Sequence, residues 1–173
     1  MTPLHLRVIG MIRTPYATLD DTPVQAGLNP DGEGWIDVDP RYADGLHGLD
    51  EFTHAWLLTW LAPLDSERTE PALRQVPFLL RSQPRELGIF AMRGPRRPNP
   101  IGLSLVRLLG VDGTTVRFAG VDMVDGTALL DLKPFAERLD APKGDVRSGW
   151  FDSVTFGDAI TPAQLAQRPP DIH

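Results

Sequence analysis

The chain has 173 residues, 42% of them hydrophobic, carries a net charge of −6 and contains no cysteine. That length supports one sizeable core and a single domain, while the missing thiols exclude a disulfide framework, a cysteine nucleophile and a cysteine-held zinc site. The acidic balance leaves room only for a local contact with nucleic acid, because general binders owe their affinity to neutralised phosphates.

Taken in chain order, the apolar runs are short and separated by turn signals, which predicts a β-dominated (all-β or α+β) architecture. Strands are expected at Leu4 to Arg13, Trp35 to Val38, Ala55 to Leu61, Leu87 to Arg93, Leu103 to Leu109, Thr115 to Ala119 and Ala128 to Leu132, about seven in all. Asp112-Gly113, lying between two apolar runs, predicts a hairpin. Helices are few: a short one over Pro40 to Leu49, and a peripheral one opened by Thr161 as cap with Pro162 at its first position. The tail ending Arg168-Pro169-Pro170-Asp171-Ile172-His173 reads as a loosely attached terminus. No run of about 18 apolar residues exists to span a bilayer, and Met1 to Arg7 has no apolar signal core, so a soluble cytoplasmic protein is expected.

The densest chemistry lies between Gly88 and Ser104. Prolines 95, 98 and 100 fix three φ angles and push each preceding residue to extended geometry, which holds Asn99 with little freedom. A stiffened loop loses little entropy when a small molecule arrives. Arg93, Arg96 and Arg97 crowd this turn, with Arg81 and Arg85 upstream and only Glu86 opposing them. A like-charge cluster held rigid suits an anionic partner, a carboxylate or phosphate. Other signatures are missing. No Gly-x-Gly-x-x-Gly follows a strand and no Walker lysine loop occurs. The histidines His5, His47, His54 and His173 are isolated, so no metal is expected, and Ser82, Ser104 and Ser148 lack a nucleophile-elbow setting.

Five segments in order, Ile9 to Tyr16, Tyr42 to His54, Gly88 to Ser104, Val124 to Thr127 and Asp131 to Phe135, resemble the TsaA-like (TrmO) family over about Leu6 to Trp150. The resemblance implies a TsaA-like β-barrel domain over 1–152 with a C-terminal tail carrying a short helix over 153–173. It further implies an S-adenosylmethionine-dependent methyltransferase working as a homodimer, with the site at the interface. Characterised members methylate N6 of the threonylcarbamoyladenosine beside the tRNA anticodon.

Residue by residue, the resemblance places cofactor contacts at Pro23, Gln25, Arg93, Leu103, Asp125, Gly126 and Thr127, and Asn99 joins that set as the pre-organised polar side chain of the loop. An Asp-Gly-Thr turn is read as offering backbone amides and a carboxylate at one spot. Arg96 and Arg97 are the candidates for holding the threonyl carboxylate or an anticodon-loop phosphate. His54, Asp122 and Asp131 are the candidate bases for the weakly nucleophilic acceptor nitrogen, with a hydrogen-bonded core histidine as the alternative for His54. The chain departs from the family pattern at Ala91-Met92-Arg93-Gly94, where Ala-Thr-Arg-Ser is usual, at Ala62-Pro63, where many members have His-Gln, and in a shortened Leu64 to Arg85 connection. Two other functions stay open: methylation of a small molecule or another RNA on the same scaffold, and a non-catalytic module that binds S-adenosylmethionine or RNA.

Overall fold

The computed structural model describes residues 5–62, 70–83 and 85–167, and the backbone of 171–172. Six antiparallel strands close into a barrel: β1 (Gly10–Arg13), β2 (Glu33–Val38), β3 (His54–Trp60), β4 (Ile101–Asp112), β5 (Thr115–Ala119) and β6 (Ala128–Pro134). Their spatial order is β1-β2-β5-β4-β3-β6, and β6 returns to β1. Alternation of side chains across each strand fills the interior. Thus β2 buries Gly34, Ile36 and Val38 while exposing Glu33, Trp35 and Asp37, and β3 buries Ala55, Leu57 and Thr59. Ile12, Leu57, Val106, Val116, Phe118 and Leu129 meet in the core, each contributing about 1.5–3 kcal/mol of apolar burial.

Closure depends on a glycine. Gly10 pairs with Val38 on one side and Leu129 on the other, and a Cβ there would sit 2.8 Å from the Asp37 carbonyl oxygen. Any side chain would push β1 away from β2. The expected hairpin is present: Asp112 pairs with Thr115, and Gly113 takes a φ of 58° in the loop between β4 and β5. A register shift between Leu108 and Gly110 bends β4 just before it.

The barrel has six strands where about seven were expected, and the difference is the Leu87 to Arg93 run. Only Leu87–Gly88 is extended, paired with Arg74–Gln75 outside the barrel, and Ile89–Ala91 turns into a 3₁₀ helix. Arg97 stabilises that turn, its Nη1 donating to the carbonyls of Ile89 and Met92 at 2.8 Å each. Phe90 is 80% exposed, so the run lacks the two-residue burial pattern of a barrel strand. The helix expected over Pro40 to Leu49 is a 3₁₀ stretch, Pro40–Leu46, capped by the Asp39 carboxylate, which accepts from the Arg41 amide.

At the C-terminal end, the helix Pro162–Gln167 forms with Thr161 Oγ1 accepting from the Gln164 amide at 3.2 Å. It is less peripheral than its polar sequence predicts. Leu165 is fully buried and packs with Leu79 and Ala159 in a second cluster that also gathers Val24, Trp150, Phe151 and Phe156. Asp171–Ile172 pairs antiparallel with Val154–Thr155. The boundary expected at 152 falls inside the single turn Gly149–Ser153. Leu4, Pro63, Arg168 to Pro170 and His173, named in the sequence reading, lie outside the described residues.

Leu165→Ala should create a cavity and weaken the docking of this segment by about 2–5 kcal/mol. Hydrogen exchange is the measurement: amides of 149–167 should exchange faster while those of β2, β4 and β5 stay protected. Uniform loss of protection through the barrel would show instead that the two clusters unfold as one unit.

Candidate functional site

The open end of the barrel, where β3 finishes and β4 begins, holds a cavity of about 940 Å³. Five segments build its walls, one of them Pro77 to Leu79. The others are the loop Leu19 to Gln25, the arginine loop from Met92 to Arg97, the crossing Asp122 to Ala128 that leads into β6, and Trp150, Phe151 and Pro162 from the C-terminal segment. Between them Trp56, Trp60, Leu103 and Ser104 line the floor from β3 and β4.

Asp122 is the centre of this arrangement. Its Oδ1 accepts from the Ser104 hydroxyl at 2.7 Å and its Oδ2 from the Ala26 amide at 2.9 Å. Ser104 points inward from β4, and the Ala26 amide belongs to the short 3₁₀ turn Ala26–Leu28. Burial pushes the Asp122 carboxyl above its ordinary range, while Ser104, the Ala26 amide and the Arg93 charge act in the opposite direction. A carboxylate held by two donors in a cleft, with its pKa raised, has the placement and the acid–base balance of a group that takes up a proton.

The Asp125-Gly126-Thr127 turn lines the same cavity, but its amides are occupied. Asp125 donates to the Tyr16 carbonyl at 2.7 Å, Gly126 to Ile12 at 2.9 Å and Thr127 to Val124 at 3.2 Å. The sequence reading of these amides as ligand donors is therefore corrected. The Gly126 amide fastens the turn to β1, that of Asp125 to the residues just beyond β1, and that of Thr127 closes the turn on itself. Asp125 Oδ1 accepts from the Thr14 amide at 3.1 Å, and its Oδ2 lies 3.9 Å from Arg13 Nη1. Gly126, at φ 76°, supplies the left-handed residue the turn needs. What the turn still presents to the cavity is side-chain and carbonyl oxygen.

Of the other residues singled out by sequence, Pro23, Gln25, Arg93, Leu103 and Arg97 line the cavity, whereas Asn99, Arg96, His54 and Asp131 do not. Arg97 is partly committed to the Ile89 and Met92 carbonyls. Arg93 and Arg96 are exposed. His54 begins β3, its Nδ1 is 2.9 Å from Thr53 Oγ1, and its ring meets the edge of Phe135. Asp131 pairs with Lys133 Nζ at 2.7 Å. Asp122 is thus the one candidate base that borders the cavity.

Sequence reasoning missed Trp56, Trp60, Trp150, Phe151 and the partnership of Ser104 with Asp122. For the tryptophans a signal existed. Trp56, Leu58 and Trp60 occupy the outer face of β3, opposite buried Ala55, Leu57 and Thr59, and an apolar outer face means that something covers it. Among the described residues no three His, Asp or Glu side chains gather as a metal ion would require, and no helix is long and apolar enough to cross a membrane.

Comparison with known proteins adds the family. Residues 11–141 match the model of the tRNA-methyltransferase O N-terminal domain. The chain is 34% identical over its full length to a protein of Archaeoglobus fulgidus named "Probable S-adenosyl-L-methionine-binding protein", covering 44% of that protein. It is 36% identical to the tRNA (adenine(37)-N6)-methyltransferase of Escherichia coli, over 80% of this chain and 62% of the relative. The crystal structure of TrmO from Pseudomonas aeruginosa superposes with a TM-score of 0.65 at 32% identity, covering 86% of this chain and 62% of that one. The chain therefore spans about half to two thirds of the length of these relatives, and it belongs to the tRNA-methyltransferase O family.

Asp122→Asn should keep both hydrogen bonds, since the amide oxygen accepts from Ala26 and the Ser104 hydroxyl can turn to accept. In the wild type the folded-state pKa lies above the unfolded one, so charging Asp122 opposes folding. That penalty is absent below the ordinary value of 3.8 and grows as pH rises through the folded-state value. Denaturant titrations should find the variant gaining on the wild type as pH is raised from 3 to 8; a gap constant with pH would contradict the assignment.

Proposed function

We propose that this member of the tRNA-methyltransferase O family is a cytoplasmic, S-adenosylmethionine-dependent methyltransferase acting on N6 of an adenine beside the tRNA anticodon, most specifically threonylcarbamoyladenosine. The observation that carries this reading is the Asp122 carboxylate, clamped by Ser104 and Ala26 in a cavity that also gathers Arg93 and the Asp125 to Thr127 turn. The lining suits the cofactor's chemistry. Asp20, Asp122 and Asp125 oppose a sulfonium charge, Trp56 and Trp60 offer aromatic faces, and Arg93 offers a guanidinium for an α-carboxylate. Pro23, Gln25 and Leu103 complete the set that would hold it.

S-adenosylmethionine, when bound, supplies a methyl group already activated by its sulfonium, so the protein's own work is positioning and proton removal. The cavity walls exclude water and align the acceptor nitrogen, and orientation of this kind is worth several kcal/mol. Asp122 takes the proton that N6 gives up as the new N–C bond forms. Its raised pKa brings its basicity closer to the working pH, and the clamp fixes its direction. Arg96, exposed on the same loop as Arg93, holds phosphate or the threonyl carboxylate near the mouth. A homodimer belongs to the same reading: Phe90, Ile101 and Leu103 expose 80%, 40% and 51% of their surfaces close to the cavity, an apolar area that a second copy covers. A second reading, transfer to a smaller acceptor, is favoured by the net charge of −6 and by the commitment of Arg97 to the loop itself.

Mass spectrometry of tRNA nucleosides from cells with and without the gene tests the acceptor: N6-methylation of threonylcarbamoyladenosine should vanish with the gene and return with the wild-type copy. A modification profile that does not change would favour the smaller acceptor.

S-adenosylmethionine should raise the melting temperature, by mass action about 2.7 kcal/mol at a hundredfold excess over its dissociation constant. Arg93→Ala should abolish most of that shift. Asp122→Asn should keep it yet lower kcat by roughly 10²–10⁴-fold, the usual scale for loss of a general base. An unchanged melting curve at millimolar cofactor would refute the enzyme reading. Light scattering should give a dimer, and activity retained in a strictly monomeric preparation would refute a site shared between subunits.

A further inference from the structure

The matched family domain ends at residue 141, yet the cavity does not. The turn Gly149–Ser153 carries Trp150 and Phe151 into its wall, with ring centroids 3.8 Å apart and planes 24° from parallel. Trp150 Nε1 donates to the Ala91 carbonyl at 2.8 Å, which ties the indole to the start of the arginine loop two residues before Arg93. From the same segment, the Ile160 carbonyl accepts from the Val24 amide at 2.8 Å, and the Ala163 amide donates to Asp20 at 3.1 Å. One stretch of chain thus braces two walls, and buried Leu165 anchors it.

The cavity's size bears on what this wall serves. At about 940 Å³ it lies at the upper end of the roughly 300–1,000 Å³ range for small-molecule sites, enough for two partners side by side. The groups fit for the cofactor, Gln25, Arg93, Leu103, Asp122 and Asp125, all come from within the family domain. Beyond the family domain the wall is Trp150, Phe151 and Pro162, chiefly aromatic, and purine bases are gripped by stacking on such surfaces. Resting on the methyltransferase reading above, we infer that Trp150, with Phe151 stacked against it, is the surface on which the acceptor adenine lies. It is supplied by the same chain from residues beyond the family domain. The hydrogen bond to Ala91 then joins the acceptor's seat to the loop that carries Arg93, so that base and cofactor are positioned by one connected piece.

The full-length chain, saturated with S-adenosylhomocysteine, is titrated with an anticodon stem-loop RNA carrying 2-aminopurine next to the anticodon. The wild type should quench the probe as the base stacks, Trp150→Phe should keep most of the quenching, and Trp150→Leu should lose it. In turnover with tRNA from cells lacking the gene, Trp150→Leu should raise KM for tRNA roughly tenfold to a hundredfold, with any loss of cofactor affinity no greater than in Trp150→Phe, which also lacks the bond to Ala91. Hydrogen exchange over 154–167 verifies that the segment stays docked. If it does not, Trp150→Phe is the deciding variant: it removes the bond to Ala91 while keeping a ring, so quenching close to wild type supports stacking. Turnover by the wild type without quenching, or a Trp150→Leu enzyme whose cofactor affinity falls while its tRNA KM holds, overturns this inference alone. A wild type that neither binds the stem-loop nor methylates tRNA overturns the methyltransferase reading with it.

Discussion

Much of this molecule is organised around one carboxylate. Asp122 joins the interior of β4 through Ser104, the loop after β1 through Ala26, and the crossing between β5 and β6 through its own backbone. Hydrogen bonds to a charged group contribute about 1.5–3 kcal/mol each, which opposes the cost of keeping the carboxylate out of water. Burial outweighs these bonds in setting its proton affinity, so its pKa is raised. Stability and proton affinity are therefore two readings of a single balance at this position, and a substitution that alters one alters the other.

Around that point the structure divides labour between rigid and adjustable parts. The barrel strands present Ser104, Leu103, Trp56 and Trp60 from a hydrogen-bonded frame. The Asp125 to Thr127 turn is almost as firm, because Tyr16, Ile12 and Val124 consume its amides and Thr14 grips its carboxylate. The arginine loop is held differently, by side chains rather than ladder: Arg97 fastens two carbonyls, Trp150 a third and Gln75 a fourth, that of Arg96. Each of these bonds has one partner on a long side chain, which suits a segment that must meet a macromolecule.

The sequence made the barrel legible where signals are local. The strand expected at Trp35 to Val38 and the glycine in the β4–β5 loop depend only on neighbours; both are present, the strand starting two residues earlier at Glu33. Non-local partners were illegible. Nothing near Asp125 announces that Tyr16 and Ile12 will take the amides of its turn, and nothing near Leu87 announces that Arg97 will bend the following residues out of the barrel. Likewise Ser104, weighed only as a nucleophile, acquires its place through Asp122, which lies 18 positions further on. The arginine loop was visible as a charged cluster because composition alone shows it, but the difference between Arg97, spent inside the loop, and Arg96, exposed on it, is geometric.

The return of β6 to β1 has a consequence in time. Gly10 meets Leu129 and Met11 meets Ala128, so the first strand waits for more than a hundred residues of synthesis before its second neighbour exists. Until then β1 and β2 form an open edge, and the loop to be closed is among the longest in the chain. Pairings at such separation slow folding. The Asp125 to Thr127 turn, fastened to β1, forms only at that late step, and the wall from Trp150 to Pro162 follows it. On a ribosome, the growing chain carries a partly formed barrel well before it carries a complete pocket.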